Sequence, residues 1–96
     1  MKRKITIKPE ADADLMKIWI YGYWNFGEQL ADAYNLKFSQ LFDKIALFDL
    51  GRKRPDLGYQ IYSLSFGQHI VIYRAEVDEI FIGRILHHSQ EVSAEF

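Results

Sequence analysis

Residues 59–87, YQIYSLSFGQHIVIYRAEVDEIFIGRILH, decide the fold. Three runs within them, Tyr59–Phe66, His69–Ala75 and Ile80–His87, are rich in β-branched and aromatic residues, which pack well on a pleated surface. Gly67-Gln68 separates the first two and suits a tight hairpin with positive φ at the glycine. Val77-Asp78-Glu79 makes the second turn. Strands joined by such turns form an antiparallel meander. Upstream, residues 49–58 hold two glycines, one proline and the adjacent cations Arg52, Lys53 and Arg54, and read as a loop. Before it, Ala31, Tyr34, Phe38, Leu41, Ile45 and Phe48 recur every three or four residues. This is one apolar stripe along a helix over about residues 28–48, widened by Phe42 and Ala46.

Further upstream, Asn25-Phe26-Gly27 stops an earlier helix, which opens on Pro9 with an acidic first turn. Its inward positions are Ala11, Leu15, Ile18, Trp19 and Gly22. The short connection folds the two helices into a hairpin. Lys4-Ile5-Thr6-Ile7-Lys8 alternates polar and apolar residues, and as a lone strand it must join the meander to pair its backbone. The expected fold is α+β, in the order β-α-α-β-β-β, with the helical hairpin packed on a mainly antiparallel sheet. Residues 1–96 form a single domain, because no repeat, linker or low-complexity segment divides them.

Composition narrows the function classes. With 49% hydrophobic residues, 26% charged and two prolines, the chain is suited to a packed core, not to disorder. The absence of cysteine removes disulfides, thiolate nucleophiles and cysteine-ligated zinc, and fits a cytoplasmic protein. Neither a membrane span nor a signal peptide is expected, since the apolar runs are short. The net charge of −1 conceals segregation: +4 over residues 1–8, −4 over 9–50, +3 over 51–74 and −4 over 75–96. Sequence-specific nucleic-acid binding is therefore not expected, although Arg52, Lys53, Arg54 and Arg74 can form a local positive patch or a solvated loop.

Three histidines limit the catalytic chemistry. His87 and His88 are adjacent on a strand and project to opposite faces, so they cannot jointly chelate a metal. No zinc, calcium, phosphate-loop or nucleophile-elbow motif is present, and no metal or cofactor is expected. RNA cleavage remains open, because it needs only a base, an acid and cations around the phosphate: His69 or His87, with Arg74 and Arg84. The alternative is that these arginines pair with Glu76, Asp78 or a helix acid. At the end of the first helix, Trp19, Tyr21, Tyr23, Trp24 and Phe26 cannot all face the core of one helix. They either form a docking surface or divide between core and amphipathic edge.

Four segments match one family in order. Ile7-Lys8-Pro9-Glu10-Ala11-x-Ala13-Asp14-Leu15-x-x-Ile18-Trp19, Gly51-Arg52-x-Arg54-Pro55-Asp56-Leu57, Gly67-x-His69-x-x-x-Tyr73-Arg74 and Ile82-x-Arg84-Ile85-Leu86-His87 resemble the ParE toxins of the RelE/ParE superfamily. The resemblance spans nearly the whole chain and implies the same β-α-α-β-β-β fold. It implies the toxin of a bacterial type II toxin–antitoxin pair, acting on DNA gyrase by binding and neutralised by a ParD-like antitoxin in a hetero-oligomer. Target contacts are expected at Arg52, Lys53, Arg54, Arg74 and Arg84, and antitoxin contacts at Trp19, Tyr23, Trp24 and Tyr34. The related mRNA interferases carry lysines, arginines and a tyrosine after the last strand. Here the sequence continues His87-His88-Ser89-Gln90-Glu91-Val92-Ser93, which places it with the non-catalytic branch. It also departs from the common ParE ending, a His-Gly with basic residues and an aspartate, since His88 replaces the glycine and the tail carries Glu91 and Glu95. The alternatives are a ribosome-dependent mRNA interferase, with His69, Arg74, Arg84 and His87 as its catalytic candidates, and a non-toxic relic that only binds an antitoxin.

Overall fold

The computed structural model describes residues 2–90; Glu91, Val92, Ser93 and Glu95 lie outside the described residues. The chain runs through β1 (Lys4–Ile7), α1 (Pro9–Phe26), α2 (Glu28–Leu47), β2 (Arg52–Lys53), β3 (Ile61–Phe66), β4 (His69–Ala75) and β5 (Glu79–His87). Pro9 occupies the first turn of α1, where a missing N–H loses no helical bond, and Glu10 and Asp12 face the positive helix end. Gly27 separates the helices with φ of 94°, a conformation that side chains with a Cβ resist. Arg3 secures the other end of the hairpin: its guanidinium donates to the Ile45 carbonyl at 2.9 Å and to Asp49 at 3.1 Å, satisfying groups left open where α2 stops.

The five strands lie in the order β1-β5-β4-β3-β2. The β3–β4 and β4–β5 pairs are antiparallel, while β1 pairs in parallel with β5, Lys4 opposite Glu79 through Ile7 opposite Ile82. The meander thus stands as expected, with two refinements. Arg52 and Lys53 leave the loop to pair with Ser63 and Tyr62 as a short edge strand. The run from Tyr59 becomes strand only at Ile61, because Gly58 and Gln60 both have positive φ.

The hairpin covers one sheet face. Phe38, Ile45, Val71, Ile80 and Ile82 are inaccessible in that interface, and burying each such side chain contributes about 1.5–3 kcal/mol. Ala31, Phe38, Leu41 and Ile45 of the α2 stripe are buried as the periodicity requires, Tyr34 is half-buried, and Phe48 lies beyond the helix end in extended backbone and is exposed. On the opposite face Leu57 folds from the loop onto Ile61 and Ile72 to make a smaller core. Tyr73 reaches from the main core to the loop and accepts the Gly51 N–H at 3.0 Å. A Cβ at position 51 would lie 2.5 Å from the Tyr73 oxygen, so this contact requires glycine.

One irregularity positions the site. Between Ile72 and Tyr73 the β4–β5 register shifts, so Tyr73 faces Ile82 but Ile72 faces Arg84. The extra residue on β5 is a bulge, which re-aims the side chains beyond it. Without it His69 would face Leu86; with it His69 faces His87.

Candidate functional site

A groove of about 740 Å³ opens between the end of the helical hairpin and the β3–β4 turn. Ile18, Phe26, Leu30 and Ala31 form its apolar walls, and Lys17, Tyr34, His69 and His87 bring polar groups to it. The Tyr34 hydroxyl lies 2.8 Å from His69 Nδ1. The His69 and His87 rings meet edge to face with centroids 5.6 Å apart. His87 Nδ1 in turn lies 2.8 Å from the Ser89 hydroxyl. Burial, reinforced by the nearby His87 and His88, holds the His69 imidazole below the ordinary histidine range, so it is neutral at neutral pH. Burial also raises the Tyr34 phenol, an effect that the Gln68 backbone N–H partly offsets. Gly67 belongs to this arrangement: it has φ of 58°, and a Cβ there would come within 2.7 Å of the Tyr34 oxygen.

The arginines do not join the histidines. Arg84, at the bulge, donates from Nε and Nη2 to the two oxygens of Asp14 on α1, at 2.7 and 3.1 Å. The Ile85 backbone N–H donates to the same carboxylate at 2.9 Å. Asp14 is 8% exposed and joins α1 to β5 with all three bonds. The alternative of a helix acid thus holds for Arg84, and its fork is committed to the fold. Arg74 faces the other way. Val71, Tyr73 and Ala75 alternate into the helix-side core, which leaves exposed Arg74 on the far sheet face, opposite Ile61. The set His69, Arg74, Arg84 and His87 is therefore divided: the two histidines meet, and neither arginine reaches them.

Across β3 from Arg74, Arg52 pairs with Ser63 on the same far face. Among the described residues Arg52, Lys53 and Arg74 form no ion pair, whereas Arg54 is held bidentately by Asp56 at 2.8 and 3.0 Å. Arg52 and Arg74 thus share the far face, Lys53 turns to the other face opposite Tyr62, and Arg54 is pinned beside them. The aromatic residues of α1 also separate. Trp19 stacks on Tyr23 with centroids 5.2 Å apart and donates its indole N–H to Asp32, so it clasps the outer side of the hairpin. Trp24 is 78% exposed, with its ring edge-on to Tyr23. Tyr34 lies in the groove, apart from these three.

Sequence reasoning gave no site role to Lys17 or Arg3, and it placed Asp14 in the acidic first turn of the helix without assigning it a partner. Asp14 had a signal: it falls three residues after Ala11 and four before Ile18, and a carboxylate on a buried helix face implies a partner.

The sequence profile of the ParE toxin of the type II toxin–antitoxin system parDE matches residues 5–92. The chain belongs to the ParE toxin family. No curated protein matches it in sequence. Among solved structures, the chromosomal ParDE system of P. aeruginosa is similar at a TM-score of 0.75 and 19% identity, covering 90% of this chain and 96% of that one. The RelBE2 toxin–antitoxin complex of Mycobacterium tuberculosis gives a TM-score of 0.61 at 20% identity, covering 92% and 100%. At these identities the likeness establishes the shared fold. This ParE-family chain is thus two helices on a five-stranded mixed sheet, and among the described residues no helix is long and apolar enough to cross a membrane.

Proposed function

We propose that this ParE-family chain is a cytoplasmic toxin that binds DNA gyrase and blocks its cycle, and that a ParD-like antitoxin silences it by forming a hetero-oligomer. The family match over residues 5–92 carries this reading. Its physical support is the division of charge and chemistry: the cations Arg52 and Arg74 lie on the sheet face opposite the hairpin, away from the histidines, with Lys53 beside them on the edge strand. Such a surface suits docking on an acidic partner, which changes the populations of an enzyme's states without covalent chemistry. The antitoxin contacts proposed are Trp19, Tyr23 and Trp24 on the outer side of α1, and Tyr34 in the groove. Inducible expression in a bacterial host tests the reading. Growth arrest that is relieved by coexpressing the small protein encoded beside this gene supports it, and unimpeded growth with abundant folded protein opposes it.

A second reading, RNA cleavage, is favoured by one observation: His69 and His87 face each other beside the Tyr34 hydroxyl, with Lys17 on the same groove. These groups could serve as base, acid and cation for a phosphodiester. Cleavage of mRNA on translating ribosomes, lost in His87→Ala, would establish it; intact mRNA during growth arrest removes it.

A further inference from the structure

The groove differs in charge from the hairpin that builds it. Residues 9–50 sum to −4, yet no aspartate or glutamate lines the groove, whose ionisable residues are Lys17, Tyr21, Tyr34, His69 and His87. Its rim is apolar and open to solvent, with Tyr21, Phe26 and Leu30 65%, 64% and 61% exposed. Large exposed apolar side chains grouped around a concavity mark a docking surface. The polar groups at its end define what docks. The Nδ1 edges of both imidazoles are engaged, by Tyr34 and by Ser89, which leaves the Nε2 edges for an incoming group. An acceptor is what two imidazoles and an ammonium can jointly bind.

We propose that the groove receives an apolar segment of the antitoxin bearing a carboxylate, that this carboxylate is held by His69, His87 and Lys17, and that docking takes up a proton. The inference rests on the antitoxin reading above and specifies its site and chemistry. In the free protein the groups beside His69 are the Tyr34 phenol from α2 and His87 and His88 at the end of β5, with Lys17 from α1 on the wall of the same groove; none carries negative charge at neutral pH. A carboxylate placed among them reverses the local balance and favours the imidazolium. Binding therefore strengthens as pH falls towards 6. The Trp19, Tyr23 and Trp24 cluster then adds contact area outside the groove and leaves the proton linkage to the histidines.

The test is calorimetric titration of the full chain with the small protein encoded beside it, between about pH 8 and about pH 6, in two buffers of different ionisation enthalpy. The proposal requires net proton uptake and an affinity that rises by up to roughly tenfold per pH unit. His69→Gln and His87→Gln, checked for unchanged thermal unfolding, should abolish the uptake. Leu30→Glu, at an exposed rim position, should weaken binding about tenfold or more without unfolding the chain, because it places a negative charge where the partner's carboxylate enters. Tight binding with no proton uptake, unaffected by Leu30→Glu, would overturn the groove assignment and leave the antitoxin reading standing. No binding at all would overturn both. Self-association of the chain through the groove, seen as a dimer that Leu30→Glu dissociates, would also overturn it.

Discussion

Removing the Asp14 carboxylate should damage this fold more than any other single loss of charge. Asp14→Ala leaves the Ile85 N–H, a buried strand donor, without its acceptor, and an unsatisfied buried group costs about 1–3 kcal/mol. The variant also releases the Arg84 fork. Because that side chain is 37% exposed, water replaces part of what it loses, and the pair adds only about 0.5–1 kcal/mol. Together the loss is about 1.5–4 kcal/mol, which in a domain of this size lowers Tm by at least about 6 °C. Asp14→Asn keeps one oxygen for Ile85 and should lose about half as much. Urea and thermal unfolding of both variants, followed by circular dichroism, with Arg84→Ala completing a double-mutant cycle, measure each contribution. A loss within about 0.5 kcal/mol for Asp14→Ala, the level of ordinary surface substitutions, would refute the role given to this contact.

Three further outcomes follow from the site. Since the folded His69 imidazole has its pKa held below the unfolded 6.5, the unfolded chain binds more protons as pH falls through that value; stability is full above it and declines below. Unfolding measured from about pH 7.5 to about pH 5 should show this decline, and His69→Gln should flatten it. Gly67→Ala forces a side chain into positive φ and against the Tyr34 hydroxyl, and should cost about 1–3 kcal/mol in denaturant unfolding. Arg52→Ala combined with Lys53→Ala should reduce growth arrest while changing stability by no more than about 0.5 kcal/mol, since both side chains are exposed; equal loss of fold and toxicity would make them structural.

What the sequence revealed was local, and what it concealed depended on register. The stripe from Ala31 to Ile45 needed only helical spacing, and the Gly67-Gln68 turn needed only two residues, so both were legible. The parallel partner of β1 lies more than seventy residues away, at Glu79–Ile82, and no local pattern names it. The single bulge on β5 had the widest effect. In a regular ladder Arg84 would face Val71 in the core; the extra residue puts Ile85 there and leaves Arg84 to Asp14. The same shift opposes His69 to His87, so which histidines meet was decided by one unpaired residue. A one-residue slip exchanges the faces of a strand, and alternation alone does not locate it. The pairing of Arg52 and Lys53 with β3 was hidden for another reason, since a two-residue edge strand leaves no periodicity to read.

The central claim is inhibition of gyrase by binding, and it is tested most directly by DNA supercoiling with purified gyrase, the folded chain and the small protein encoded beside it. The account predicts that the chain alone stops supercoiling, that the small protein restores it, and that Arg52→Ala with Lys53→Ala weakens inhibition without altering the fold. Undiminished supercoiling at a large excess of folded chain would contradict it.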